Sequence, residues 1–161
     1  MVVDFWQVLK NRHCVRGFDA DRLVTDEQIE KLISAAKMAP SAGNCQDWEF
    51  VVIKEKEEKQ RLVEQAISFK QSFVAEAPIV IVVCINFNKT KDRYGNRGRD
   101  LYSIQDTAAA SQNLLLAATA LGLGACWVGA FDENKASEVL NLADGLRPVV
   151  IIPLGYSKRV D

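Results

Sequence analysis

The hydrophobic positions of this chain follow two spacings: a helical one, and the short unbroken runs that are typical of buried strands. Helical spacing predicts five helices, at Phe5–Asn11, from Thr25 to just before Pro40, and over 56–69, 102–121 and 133–142. Runs rich in β-branched and aromatic residues predict four strands, at Trp48–Ile53, 79–85, 125–131 and 149–156. The order of these elements predicts an α+β domain with a small mixed sheet and helices on its faces.

Local signals set the limits of the second helix and of two loops. Thr25 can cap the helix, and Gln28 occupies the reciprocal position of a capping box. Pro40 cannot continue the helix, so the segment 40–44 that follows is expected to be a loop. The polar segment 86–100 is rich in Asn, Lys, Arg and Gly, and we expect a mobile surface loop that covers a substrate.

The predicted helix 102–121 is rich in Ala and Leu on most of its circumference, so we expect burial nearly all round. Such a helix is unusual in a domain of this size. It either forms the axis of the core or packs against a second subunit. We expect both, with one face inward and another in a dimer interface.

Composition narrows the class of protein. The 161 residues are 48% apolar and 25% charged, the balance of an ordinary globular protein, and we expect one domain over 1–161. A net charge of −1 argues against broad electrostatic binding to nucleic acid or anionic lipid. No apolar run is long enough to span a membrane, and the N-terminus does not resemble a signal peptide.

The four cysteines are scattered, without CxxC or zinc-like spacing, and the chain has one histidine. We therefore expect no metal site, reduced thiols and a cytoplasmic protein. Cys14 directly follows His13, which invites comparison with a Cys–His nucleophile. Adjacent residues rarely present their side chains to each other, and no orienting acid is evident, so we assign no catalytic residue.

Three clusters could bind a ligand, although each also has an ordinary structural explanation. Arg12, His13 and Arg16 follow the first helix, where guanidinium donors suit a phosphate monoester; the alternative is a solvated basic turn. Residues 40–48 include Asn44 and Gln46, whose amides can bind the edge of a heterocycle; the alternative is an asparagine-capped loop. Residues 122–131 are glycine-rich but follow a helix and precede a strand, the reverse of a Rossmann turn, so we reject a dinucleotide fingerprint.

Taken together and in this order, the clusters resemble the nitroreductase family of FMN-dependent oxidoreductases. Residues 12–18 resemble the family's R-[RH]-S-x-[RK]-x-[FY] opening, and 40–50 its P-S-x-x-N-x-Q-P-W-x-F loop and strand. Residues 104–124 resemble its long central helix, and 127–131 and 152–156 its last two strands. The resemblance implies a nitroreductase-like fold, with a largely antiparallel sheet flanked by helices and the central helix at a dimer interface.

The resemblance also implies a homodimer with two FMN sites at its interface. One subunit would hold the phosphate and the pyrimidine edge of the flavin with Arg12, His13, Cys14 and Arg16. The other subunit would reach the flavin with Pro40, Ser41, Ala42 and Asn44. The isoalloxazine would lie along Trp127, Val128 and Gly129, with a backbone N–H near N5.

Three departures from the family pattern concern this site. Cys14 replaces a serine, and a thiol is a weaker hydrogen-bond donor. Asp47 replaces a proline and adds a negative charge near the flavin region, where it is expected to influence substrate choice. Family members usually continue beyond the position of Asp161 in a tail that supplies a basic residue, for which Lys158 or Arg159 could substitute.

The implied activity is hydride transfer from NADH or NADPH through FMN to a small electron-poor acceptor, such as a nitroaromatic, a quinone or a flavin. Arg16 would stabilise the negative charge of reduced flavin. Two alternatives remain open: a specialised flavin reaction such as reductive dehalogenation, and a non-catalytic flavin-binding protein. Neither nucleic acid nor a membrane is expected as a partner.

Overall fold

The computed structural model describes residues 4–158, apart from the side chains of Lys70, Lys91 and Asp92. Its α-helices are α1 (Phe5–Asn11), α2 (Asp26–Lys37), α3 (Lys56–Gln65), α4 (Phe73–Glu76), α5 (Lys91–Arg97), α6 (Ser103–Ala120) and α7 (Glu133–Val139). Its strands are β1 (Trp48–Ile53), β2 (Ile79–Asn86), β3 (Gly124–Ala125) and β4 (Leu146–Gly155). Among the described helices, none is long and apolar enough to cross a membrane.

The four strands form one sheet in the order β1-β2-β4-β3, and every neighbouring pair is antiparallel. Among residues 4–158, the parallel pairing of the expected mixed sheet is one isolated bridge, between Cys14 and Ala125. The α+β class and the largely antiparallel sheet are thus confirmed.

Strand β2 lies at the centre of the sheet and is buried on both faces, as its continuous apolar run predicts. Alternate residues point to opposite faces, so Ile79, Ile81 and Val83 pack in one core with α2 and α6. Val80 and Val82 pack in a second core with residues of α3 and α7. Both cores therefore share one strand.

The limits of α2 follow from its sequence. The Gln28 N–H donates to Thr25 Oγ1 at 3.2 Å, and the Thr25 N–H donates to Gln28 Oε1 at 3.0 Å. This is the capping box expected from the sequence. The apolar stripe then faces inward, since Ile29, Leu32 and Ala36 are all buried.

Asn86 ends β2 and residues 87–100 are mostly helical, so the expectation of a loop over 86–100 was wrong. A 3-10 turn at Phe87–Lys89 leads into α5 and then into a π-helical turn at Gly98–Tyr102. The Tyr94 and Tyr102 rings stack edge to face with centroids 5.3 Å apart, and the buried Thr90 and Ser103 hydroxyls lie 3.3 Å apart. These side-chain contacts order the segment, and its polar composition alone does not predict them.

Other predicted elements also differ in length, and the last predicted helix, 133–142, ends at Val139. Helix α3 ends at Gln65 rather than 69, because Ile67 pairs with Phe131 and Phe69 has φ 60°. The predicted strand 125–131 is reduced to β3, since beyond Ala125 only single bridges continue, one of them between Val128 and Ile151. Strand β4 begins earlier than predicted because its first residues pair with the end of β2.

Within one chain, α6 is buried on one side, and the expected burial of its other side against a second subunit stays a prediction. Its buried residues lie along one broad face and include Ala110, Leu114 and Ala118. Ile104 and Gln105 are exposed. Helix α1, which packs on α6, buries Val8 but leaves Phe5 and Leu9 exposed, at 58% and 37%.

Candidate active site

The first cluster of predicted site residues, around 12–16, lies beside the start of the third, 122–131. Arg12 ends α1, where its N–H donates to the Val8 carbonyl at 3.0 Å, and the chain then becomes extended. The Val15 N–H donates to the Ala125 carbonyl at 3.0 Å, within the parallel bridge of Cys14 and Ala125. The sheet edge therefore brings residues 12–16 alongside residues 124–128.

The pKa of the Cys14 thiol indicates the electrostatic environment of the first cluster. Burial acts to raise the pKa of Cys14, but hydrogen bonds from the Trp127 backbone and from Cys126 outweigh it, and the charges of Arg16 and Arg12 add to the net lowering. Cys126 is 2% exposed, and burial together with Cys14 raises its pKa to about 12. An exposed position that stabilises a thiolate is also suited to hold another anion.

The third cluster offers an exposed aromatic ring beside a buried backbone. Trp127 is 38% exposed, and Val128 is 2% exposed. The Val128 N–H donates to the Ile151 carbonyl at 2.9 Å, so this amide is already engaged within the fold. Gly129 is exposed and is the neighbouring backbone position that a flat ligand can approach.

His13, within the first cluster, and Lys158, next to it in the fold, make different contacts. His13 is exposed, and its Nδ1 lies 2.8 Å from the Asn11 carbonyl oxygen. The Lys158 N–H donates to the Gly17 carbonyl at 3.1 Å, whereas its side chain lines a groove of about 630 Å³ with Lys54 and Lys59. Arg159 lies outside the described residues.

The second cluster is a tight loop, 41–46. A 3-10 turn spans Ala42–Asn44, and the φ angles of Gly43, Asn44 and Gln46 are 54°, 56° and 47°. Such a left-handed backbone persists in non-glycine residues only where surrounding contacts determine it. Within the loop, the Gln46 N–H donates to Ser41 Oγ at 2.9 Å.

The surrounding contacts come from α6 and from the helical segment that precedes it. Both carboxylate oxygens of Asp106 accept the Ala42 N–H, at 2.9 and 3.1 Å. Arg93 Nη1 donates to the Gly43 carbonyl at 2.8 Å, and Lys89 Nζ donates to the Gln46 carbonyl at 3.1 Å. These side chains hold the loop while Pro40 and Asn44 remain exposed.

Within one chain, the second cluster lies far from the first and third clusters. The loop is held by Asp106, close to the start of α6. Asn11 and His13 instead line a small cavity with Thr119, at the end of α6. At about 1.5 Å per helical residue, Asp106 and Thr119 are ~20 Å apart along the axis. The two groups of predicted site residues therefore lie at opposite ends of one helix.

Sequence reasoning missed Asp106 and did not anticipate that Asp47 is buried beneath the loop. The Asp47 side chain is fully buried, and Asp106 is 6% exposed. A signal was available for Asp106, because an acidic residue among the Ala and Leu of a buried helix face demands a partner. No pattern in the sequence indicates that Asp47 lies against it, since that contact depends on how β1 approaches α6.

A further cavity, of about 350 Å³, opens in the helical segment before α6. Phe87, Thr90, Gly95, Asn96 and Arg99 line it. Arg99 lies over the Phe87 ring at 5.7 Å from its centroid. Among the described residues, no group of three His, Cys, Asp or Glu side chains is arranged to hold a metal ion.

Comparison with known proteins agrees with this architecture. The sequence profile of the nitroreductase family matches residues 9–69 and 67–156. A protein of Archaeoglobus fulgidus, provisionally named an NADH dehydrogenase/NAD(P)H nitroreductase, is 35% identical over 94% of this chain and 84% of its own length. An FMN reductase (NADPH) of Bacillus subtilis is 24% identical over 93% of this chain and 64% of its own length.

Solved structures show the same fold. A nitroreductase family protein from Clostridium novyi superposes with a TM-score of 0.86 at 31% identity, covering 97% of this chain and 86% of its own. One from Streptococcus pneumoniae has a TM-score of 0.88 at 27% identity, covering 97% and 92%. Fold and matches together define the class, an oxidoreductase. The chain belongs to the nitroreductase family.

Proposed function

We propose that this protein is a homodimeric FMN-dependent oxidoreductase that passes hydride from NADH or NADPH to small electron-poor molecules. The observation that carries the proposal is the separation of the predicted site residues along α6. Arg12 and Arg16 lie near one end, and the loop with Asn44 lies near the other. A second subunit running antiparallel along α6 would bring the loop of one chain to the arginines of the other.

Exposed apolar side chains on one chain support such a dimer. Phe5 and Trp6 on α1 are 58% and 74% exposed, and Ile104 on α6 is 42% exposed. The Phe5 and Trp6 rings contact each other, with centroids 5.7 Å apart, and exposed apolar clusters of this kind mark interaction surfaces in soluble proteins. The half-buried residues of α6, among them Ala108 and Leu116, offer further surface for a partner.

The residues present fit a flavin mononucleotide. Hydrogen bonds from the Trp127 backbone and Cys126 lower the pKa of Cys14, and the positive charges of Arg16 and Arg12 add to this lowering. The same two charges would attract a phosphate monoester. Trp127 offers an exposed flat surface for a ring system, and Asn44 an exposed amide. When bound, FMN supplies the hydride chemistry; the protein binds it, orients it and sets its electrostatic surroundings.

Arg16 has a second role in this proposal. Its cationic guanidinium next to the ring would favour the negatively charged reduced form of a flavin over the neutral oxidised form. Hydride transfer itself requires no acid from the protein, and we assign none. Small oxidised molecules such as quinones or nitroaromatics would enter where Trp127 and Gly129 are exposed.

The test is whether the purified protein binds FMN and whether NADH or NADPH bleaches the bound flavin without oxygen. Arg16→Ala should weaken FMN binding about tenfold to a hundredfold, the effect of losing a hydrogen bond to a charged group, and should slow flavin reduction. Arg61→Ala, on the exposed side of α3, is the matched control and should change neither. A colourless protein without FMN affinity, or Arg16→Ala with wild-type flavin content and turnover, would overturn the proposal.

A further inference from the structure

Asp47 is a buried carboxyl group without a donor. Its side chain is 0% exposed, and within the described residues no donor reaches either of its oxygens. Its backbone is engaged, because the Asn86 N–H donates to the Asp47 carbonyl. An ionised carboxylate that is buried without a hydrogen bond or a cation is strongly destabilising. The negative charge of Asp47 must therefore be neutralised or paired by a neighbouring group.

The side chain of Asp106 lies against that of Asp47, within hydrogen-bonding reach. Two ionised carboxylates can only accept hydrogen bonds, so no bond joins them unless one carries a proton. Burial raises the pKa of Asp106; the Ala42 N–H acts against this rise, and the charge of Asp47 adds to it. The neighbourhood thus favours one retained proton over two adjacent negative charges.

The cations that face this region from neighbouring elements have other partners. Lys89 Nζ pairs with Glu49 Oε1 at 2.8 Å and donates to the Gln46 carbonyl. Arg93 donates to the Gly43 carbonyl at 2.8 Å. Neither is a hydrogen-bond partner of Asp47.

The hydroxyl groups nearby are also engaged. Thr90 and Ser103 hydrogen-bond to each other, and Thr107 Oγ1 donates to the Ser103 carbonyl at 2.7 Å. Among the described residues, Asp106 is therefore the group that can satisfy Asp47. A proton held between them is the simplest way to neutralise the pair.

We propose that Asp47 and Asp106 share one proton, and that this pair positions the 41–46 loop for the flavin; the second half rests on the proposed function. Asp106 holds the Ala42 N–H with both oxygens, so its orientation sets where the loop begins. Asp47, donating through the shared proton, fixes the orientation of Asp106. Both are positioning residues that act through the loop backbone.

The shared proton predicts the direction in which the stability of the folded protein changes with pH. In the unfolded chain, aspartate has an ordinary pKa of about 3.9. Because the folded pair keeps its proton to higher pH, its stabilising contribution is complete below about pH 4 and is lost as pH rises through the folded value. Raising the pH toward alkaline values should therefore lower the melting temperature and loosen the loop.

The first half is tested on the protein without flavin. An infrared pH titration should detect the carbonyl stretch of a protonated buried carboxyl group at pH values where exposed aspartates are already ionised, and Asp47→Asn should remove it. Asp144→Asn, at an exposed position, is the matched control and should leave the band unchanged. A wild-type protein whose carboxyl band disappears together with that of the exposed aspartates would overturn the shared proton, whether or not the protein binds FMN.

The second half is tested by the pH dependence of FMN affinity. Wild-type affinity should fall about tenfold as pH rises through the range in which the pair loses its proton, the loss of one charge-assisted hydrogen bond. Asp47→Asn keeps a donor to Asp106 at every pH, so its affinity should match wild type below that range and stay level above it. Asp106→Asn should also remove the pH dependence, because its amide can donate to Asp47 while its oxygen still accepts the Ala42 N–H.

These outcomes separate the two proposals. A protein that shows the protonated carboxyl band but binds no FMN keeps the pair and loses the proposed function. A protein that binds FMN with the same pH dependence in wild type, Asp47→Asn and Asp144→Asn keeps the function and overturns the positioning role.

Discussion

At the scale of single residues, Cys14 is the most informative of the side chains that depart from the family motif. Cys14 is exposed, and its pKa is lowered by the hydrogen bonds and arginine charges around it. Thiolates react and thiols do not, so the microenvironment of Cys14 should be visible chemically. Cys84, fully buried with its pKa raised to about 12 by burial, provides the contrast within the same molecule.

We expect iodoacetamide to alkylate Cys14 first at neutral pH, at least about tenfold faster than Cys84 or Cys126. Mass spectrometry of peptides quenched over time measures each rate. Arg16→Ala should slow the reaction of Cys14, because removing the guanidinium charge raises the pKa of the thiol. Equal rates at Cys14 and Cys84, or no effect of Arg16→Ala, would contradict the electrostatic description of this site.

Individual residues also show what the sequence could predict about the site. Arg12, Arg16 and Asn44 stand out because their side chains are typical ligand-binding groups next to helix ends and turns. Asp47 was expected to act at the flavin region, and the fold instead places its side chain in the interior against Asp106. The contact joins residues 59 positions apart, and local pattern carries no information about it.

At the scale of elements, the reliable predictions were those in which apolar spacing and end signals agreed. Helix α2, with its capping box, and the central strand β2 are where the sequence puts them. The segment 86–100 was misjudged because its order comes from tertiary contacts, such as the Thr90 and Ser103 hydroxyls and the Arg93 contact with the 41–46 loop. Composition alone cannot distinguish such a segment from a loop.

Helix α6 offers a direct test of its two faces. Leu114 is fully buried, so Leu114→Ala should lower the free energy of unfolding by ~2–5 kcal/mol through the cavity it leaves. Ile104 is 42% exposed in one chain, so Ile104→Ala should cost far less in intrinsic stability. Urea titrations monitored by circular dichroism give both values.

If Ile104 lies in the proposed dimer interface, its substitution should instead weaken association, which sedimentation at several protein concentrations measures separately. Equal effects of the two substitutions on unfolding at a protein concentration low enough to dissociate the dimer would show that the two faces of α6 are misassigned.

At the scale of the whole molecule, the separation of the site residues along α6 predicts a composite site in the proposed dimer. Arg16→Ala and Asn44→Ala should each impair both sites of a homodimer, because every site takes one residue from each chain. A mixed dimer of the two variants has one site with both defects and one with neither. We expect it to bind one FMN per dimer with wild-type affinity.

Two affinity tags isolate the mixed dimer after co-expression, and flavin absorbance per dimer counts its intact sites. A mixed dimer of Arg12→Ala and Arg16→Ala is the matched control. Both of its defects lie in the same cluster, so neither site is intact and no affinity returns. No recovery in the test pair would place Arg16 and Asn44 of a site in the same subunit, whereas recovery in the control would place Arg12 and Arg16 of a site in different subunits. Either result would overturn the composite site as proposed.

The position of β2 has a consequence for how the domain unfolds. Residues such as Ile81 and Val82 are adjacent in sequence, fully buried, and belong to different cores. Neither core can open without losing one side of the strand that supports the other, so the two layers melt as one cooperative unit. Amide hydrogens of β2 therefore exchange with solvent only through global unfolding, and their exchange rates report the full stability of the domain.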